Sequence, residues 1–141
     1  MFVVATANRI DSLPAELLRK GRFDEIFFLD LPTAIERAQI FGIHLQRFGR
    51  NPDSFNVEEL ARRAEHFSGA EIEQVIVSGL YAAFAEGVEL EQRHLLPTLS
   101  ETLPLAVTMR EDIARLREWA RTRTRPASTP EPQRPGSTGI V

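Results

Sequence analysis

Residues 3–32 read VVATANRIDSLPAELLRKGRFDEIFFLDLP: two apolar runs separated by a turn and a pair of arginines, Arg19 and Arg22, around Gly21. Phe2 to Ala7 is rich in β-branched and apolar residues, the pattern of a buried strand, which needs neighbours on both faces. Asn8 ends it. Leu13-Pro14 opens a short helical turn, Pro14 to Leu18, with proline at an early position where its missing N–H costs little. Gly21 breaks that turn and lets the loop bend tightly. Ile26 to Leu31 is a second apolar strand, stopped by Pro32. Two strands are too few for a stable sheet, so this stretch reads as the end of an α/β sheet whose other strands lie elsewhere.

Downstream the period changes from strand to helix. Thr33 and Glu36 have capping-box spacing, and Ile35, Ala38, Phe41, Leu45 and Phe48 then recur along one apolar face. GRNPDSFN is a turn-rich linker. Asn56 with Glu59 caps a short helix. Ser68 with Glu71 caps a longer one, with Ile72, Val75, Ile76, Gly79, Leu80, Ala83 and Phe84 inward and Gly87 as its stop. A further helix is expected near Gln92–Thr102, kinked or broken by Pro97. Thr108 with Glu111 caps a last helix to about Arg121, with Met109, Ile113, Leu116 and Ala120 along one face. The final stretch is rich in Pro, Ser and Thr and has almost nothing to bury. The expected organisation is strands and arginine loop over 1–32, a helical bundle over 33–102, an appended helix over 103–124 and a disordered tail over 125–141: an α/β fragment, mostly α.

The chain has 141 residues with a net charge of −3, which argues against a strongly basic nucleic-acid binder and against attraction to anionic membranes. It has no cysteine, which excludes disulfides and thiolate metal sites and fits a reducing, cytoplasmic compartment. No apolar run approaches a membrane span, and no basic segment precedes the first apolar stretch as in a signal peptide. His44, His66 and His94 do not have metal-ligand spacing, so no metal site is expected from them. Ser68 has no partnering histidine at motif distance for hydrolase chemistry. Arginines at 110, 115, 117, 121, 123 and 125 make a basic stretch. Interspersed Glu111, Asp112 and Glu118 give it the character of a solvated helix face.

Taken in order, the Asn-ended strand, Arg-x-Gly-Arg-Phe-Asp over residues 19–24, the apolar strand, Pro32 and the helices with FSGAEIEQ resemble the C-terminal half of an AAA ATPase module. The resemblance covers about residues 2–102, and is nearest to the cyanobacterial and chloroplast-encoded AAA proteins and their bacterial relatives. It implies ATP and Mg²⁺ as cofactors of the intact protein and neighbouring AAA subunits, in a homo-oligomeric ring, as partners. Charge accumulates on the γ-phosphoryl oxygens during hydrolysis, and a planar, permanently charged guanidinium suits it. By resemblance, Arg19 and Arg22 are arginine fingers that reach the neighbouring subunit's nucleotide. Taken alone, they read as surface arginines in local ion pairs with Glu16, Asp24 or Glu25. Asn8 matches sensor-1, a strand-end amide that contacts the γ-phosphate or attacking water; taken alone, it is a strand-terminating Asn. Gly69 and Ala70 match the lid position against adenine, where small residues at a helix start allow close approach. His44 matches a ribose or base contact, and taken alone is a packing or surface histidine. Ala70 after Gly69 agrees with a lid that lacks a sensor-2 arginine.

A working module also needs G-x-x-x-x-G-K-[ST] and acidic residues at another strand end. Neither is in the sequence, and in the family both lie upstream of the sensor-1 strand, where this chain begins. The expectation is the C-terminal piece of a longer ATPase, inactive alone. The alternative is a non-catalytic helical module that docks on or regulates a full-length AAA ATPase.

Overall fold

The computed structural model describes residues 2–7, 9, 12–17, 19 and 21–128. They divide into two compact units, one of residues 1–30 and 111–127, the other of residues 31–110 and 128–141. The fold is mostly α, with one short parallel strand pair.

In the helical unit, α1 (Ala34–Arg47) and α3 (Gly69–Glu86) both begin at full capping boxes. The Thr33 N–H donates to the Glu36 carboxylate at 2.8 Å while the Thr33 hydroxyl accepts from the Glu36 N–H at 3.3 Å. Ser68 and Glu71 repeat both distances at the start of α3. Two donors that the helix itself cannot satisfy are thereby met at each end. Between them lie a 3₁₀ turn (Pro52–Ser54) and α2 (Val57–Arg63), whose cap Asn56 accepts from the Glu59 N–H at 3.0 Å. Gly87 closes α3 in the left-handed conformation, φ 71°, where a side chain would be strained. α4 (Gln92–Glu101) and α5 (Leu105–Thr108) complete the unit. Gln92 ties α4 to α2 by accepting from the Asn56 N–H at 2.7 Å and donating to Glu59 at 2.9 Å.

The core sits where α1, α2, α3 and α4 meet, around Phe41, Leu45, Leu60, Phe67, Ile72, Ile76 and Leu95. α4 packs on α3 at Gly79, where an added Cβ would lie 2.5 Å from Leu95 Cδ2. Two inward assignments differ from expectation, and one residue is unexpectedly inward. Ile35 is 65% exposed and Phe84 is 85% exposed, whereas Arg37 is buried. The stripe of α1 that faces the core is Arg37, Phe41 and Leu45, two residues out of phase with Ile35. Pro97 lies inside α4 without ending it: Leu95 and Leu99, one on each side, are buried and hold the helix across the missing hydrogen bond. Thr108 does not cap the last helix, because its hydroxyl donates to the Leu105 carbonyl at 2.9 Å and closes α5 instead.

In the other unit, the expected strand over Phe2–Ala7 is not formed. Phe2, Val3 and Val4 are 92, 60 and 74% exposed, and no partner strand pairs with them among the described residues. The second expected strand, Ile26–Leu31, survives as β1 (Phe27–Phe28). Its partner comes from the segment expected to be a disordered tail: β2 (Arg125–Pro126) runs parallel to it, Phe27 opposite Arg125 and Phe28 opposite Pro126. The N–H groups of Arg125 and Ala127 donate to the carbonyls of Ile26 and Phe28, both at 2.9 Å. α6 (Arg110–Arg123) precedes β2 and brings Ala120, with half-buried Ile113 and Leu116, onto one face.

Candidate functional site

Of the residues singled out in the helical unit, His44 and Gly69 lie along the seam between α1 and α3. Gly69 is the first residue of α3, and a Cβ there would meet Ile40 Cδ1 at 3.8 Å, an ordinary contact. One turn further along each helix, His44 faces Glu73, its Nδ1 3.8 Å from Oε1. That is beyond hydrogen-bond distance. The imidazole is mostly buried, and Nδ1 has no hydrogen-bond partner among the described residues. Arg47 takes the Glu73 carboxylate instead, at 3.1 Å. Ala70, beside Gly69, is exposed. The seam thus joins a side-chain-free helix start, an exposed methyl and a buried imidazole nitrogen without a hydrogen-bond partner among the described residues.

Glu71 holds the same helix start from behind. Its Oε2 closes the capping box, and its Oε1 accepts from the Leu105 N–H at 2.8 Å. Burial works to raise its pKa, but the donors at Leu105 and Ser68 outweigh burial and hold it below the ordinary carboxylate value. In Glu36 the Thr33 N–H is the main cause of the same lowering, with the Ser128 and Thr33 side chains adding to it against burial.

The arginine loop belongs to the other unit. A turn closes where the Leu17 N–H donates to the Pro14 carbonyl at 2.9 Å, so the expected helical piece is a single turn among the described residues. Gly21 has φ 92°, a conformation that requires glycine, and the Arg22 N–H approaches the Arg19 carbonyl at 3.4 Å. Both arginines are exposed. Neither forms an ion pair among the described residues, although Glu16, Asp24 and Glu25 are close in sequence; Glu25 pairs with Arg125 at 3.2 Å. Arg19 lines an open cleft of about 500 Å³ with Phe23, Glu25, Trp119 and Arg123. Asn8 lies outside the described residues.

Four arginines of α6 have partners, three of them within the helix. Arg115 pairs with Asp112, Arg121 with Glu118, Arg117 with Asp30, and Arg123 lies over the Trp119 ring. These side chains are largely exposed, in keeping with the solvated helix face expected from the interspersed acids. Sequence reasoning missed Arg37, whose guanidinium bridges two backbone carbonyls, and the Arg117–Asp30 pair, whose partners are 87 positions apart. No local spacing signals either one. Among the described residues, no helix is long and apolar enough to cross a membrane.

Comparison with known proteins places these features. Residues 54–96 match the AAA+ lid domain. The chain is 48% identical over 121 residues to the uncharacterized AAA domain-containing protein ycf46 of Pyropia yezoensis, covering 85% of this chain and 25% of that protein. It is 46% identical over 123 residues to the ycf46 protein of Gracilaria tenuistipitata var. liui, with the same coverage. A proteasome-activating nucleotidase of Saccharolobus islandicus is 42% identical over 85 residues, 60% of this chain and 21% of that protein. The chain spans about a quarter of the length of the curated relatives it matches. The lid-domain match centred on α2 and α3, together with relatives of this similarity over most of the chain's length, fits a C-terminal part of an AAA module.

Proposed function

We propose that these residues form the arginine-finger and lid portion of a cytoplasmic AAA ATPase that hydrolyses ATP in a homo-oligomeric ring. The observation that carries the reading is the state of Arg19 and Arg22. Both guanidinium groups are exposed, and among the described residues neither pairs with the neighbouring carboxylates, of which Glu25 pairs with Arg125 instead. A charge kept out of local ion pairs is free to meet an external anion.

In an intact ring, Arg19 and Arg22 reach across a head-to-tail interface to the γ-phosphate at the neighbouring subunit's site, and there they offset the charge that develops as the phosphoryl group transfers. Asn8 directs its amide to the γ-phosphate or the attacking water. Gly69 and Ala70 allow adenine to lie against the start of α3, and His44 supplies a polar contact to base or ribose. Mg²⁺, if bound in the intact protein, would supply charge neutralisation for phosphoryl transfer. The P-loop and acidic strand end that hold it are not within residues 1–141. This chain alone therefore neither binds ATP tightly nor hydrolyses it.

The test is mutational, in the full-length ATPase that carries these residues. Arg22→Ala leaves ATP binding intact and lowers turnover by about 10³-fold. Mixing Arg22→Ala subunits with subunits disabled in the P-loop restores partial turnover, because one donates the finger and the other the nucleotide site. Turnover that survives both Arg19→Ala and Arg22→Ala sinks the assignment. A second reading, a non-catalytic module docking on a full-length AAA ATPase, draws on the helical unit's own hydrophobic core. It requires residues 1–141 to bind that ATPase and change its turnover when added separately.

A further inference from the structure

We propose that residues 111–127 are a strap that positions the arginine loop, with Arg117 and Arg125 as its positioning residues. The inference rests on the finger reading above. The strand that leaves the loop is gripped at both ends by this one segment. At Glu25, three residues after Arg22, the Arg125 Nε lies 3.2 Å from the carboxylate. At Asp30 the Arg117 guanidinium binds in two-pronged fashion, Nε to Oδ2 and NH2 to Oδ1, both at 2.8 Å. Between these grips, the N–H groups of Arg125 and Ala127 bond to the Ile26 and Phe28 carbonyls.

Among its described residues the loop has few hydrogen bonds of its own. Among the described residues from 12 to 24, the internal hydrogen bonds are the Leu17–Pro14 turn, the 3.4 Å approach of Arg22 to Arg19 and a bond from the Ser12 hydroxyl to the Arg9 carbonyl. A guanidinium that acts on a neighbour's phosphate must be held within about 0.5 Å of its working position. A bidentate Arg–carboxylate pair fixes direction as well as distance, which is the property such a support requires. Asp30 holds the Arg117 charge so well that the guanidinium is even harder to deprotonate than usual. The strap therefore sets the position of Arg19 and Arg22 without touching nucleotide.

Two measurements test this. In the full-length ATPase, Arg117→Ala lowers kcat by about tenfold or more while ATP affinity is unchanged. The exchanged pair, Asp30→Arg with Arg117→Asp, recovers turnover that Arg117→Asp alone has lost. In the 141-residue chain, Arg117→Ala speeds hydrogen exchange at residues 21–30 and leaves α1 and α3 protected. Unchanged kcat in Arg117→Ala and in Arg125→Ala, where Arg22→Ala abolishes turnover, overturns the strap and leaves the finger reading standing. Unchanged turnover in Arg22→Ala overturns the finger reading and the strap with it. Parallel loss of ATP affinity and kcat in Arg117→Ala also overturns the strap, by reducing Arg117 to a folding role.

Discussion

Arg37 of α1 donates its Nε–H to the Ala61 carbonyl of α2 at 2.9 Å, and its NH1 to the Pro32 carbonyl at 2.8 Å, with its side chain buried between them. One charged residue thus joins the entry of α1 to the body of α2. Both carbonyls lose a donor if the guanidinium is removed, and a void opens beside them. Arg37→Ala is expected to destabilise the chain by about 2–4 kcal/mol, read from urea unfolding. Arg37→Lys recovers only part of that loss, because one ammonium cannot reproduce a fork aimed at two separated carbonyls.

Two glycines inside helices carry opposite predictions. Gly42 has nothing within 4 Å of an added Cβ, so Gly42→Ala is expected to stabilise α1 by about 0.5–1 kcal/mol through the helix preference of alanine. At Gly79 a Cβ would lie 2.5 Å from Leu95 Cδ2, 3.2 Å from Leu90 Cδ1 and 3.3 Å from the His94 carbonyl. Leu95 is fully buried and has no room to retreat. Gly79→Ala is expected to cost about 1–3 kcal/mol, the reverse of its helix preference. Thermal unfolding of the two variants side by side decides this: equal shifts of the same sign would show that α4 does not pack on α3 at that glycine.

Glu71 and Glu36 set an acid limit to stability. Both carboxyls are held below their ordinary value of 4.5 in the folded chain, Glu71 by donors at Leu105 and Ser68 that outweigh burial, Glu36 chiefly by the Thr33 N–H. The lowered folded-state value means that the unfolded chain binds the proton first on acidification. Their contribution is complete above the unfolded value, near pH 4.5, and is lost as pH falls through the folded one. The unfolding free energy is therefore expected to be level near neutrality and to fall below about pH 5. Glu71→Gln should flatten part of that fall, as measured by urea titrations across pH.

The signals that sequence carries well are local. Thr33 with Glu36, Ser68 with Glu71 and the stop at Gly87 depend on residues three or four positions apart, and all form as read. Helix phase was less legible. Ile35 and Phe84 continue apolar stripes in sequence yet lie exposed, because the neighbouring helices cover Arg37 and Ala83 instead. The Phe2–Ala7 run has strand composition, but a strand exists only with a partner, and composition names none. β2 was invisible for the converse reason: Arg125-Pro126 has no strand preference and is held in place by contacts with Glu25, Ile26 and Phe28, about a hundred residues away in sequence. For the site, the order of short motifs pointed to Arg19, Arg22, His44, Gly69 and Ala70. The contacts of Glu71 with Leu105 and of Arg117 with Asp30 arise only when distant segments meet.

Pro126 sits in β2 between two residues whose N–H groups point at β1, so its own backbone nitrogen points the other way. There it carries no hydrogen to offer. Any further strand approaching that outer side, from another molecule as much as from this one, meets a missing rung at the centre of the pairing. The outer side of β2 is thus a blunted edge, and the chain's own tail, once seated, is a poor template for a further strand.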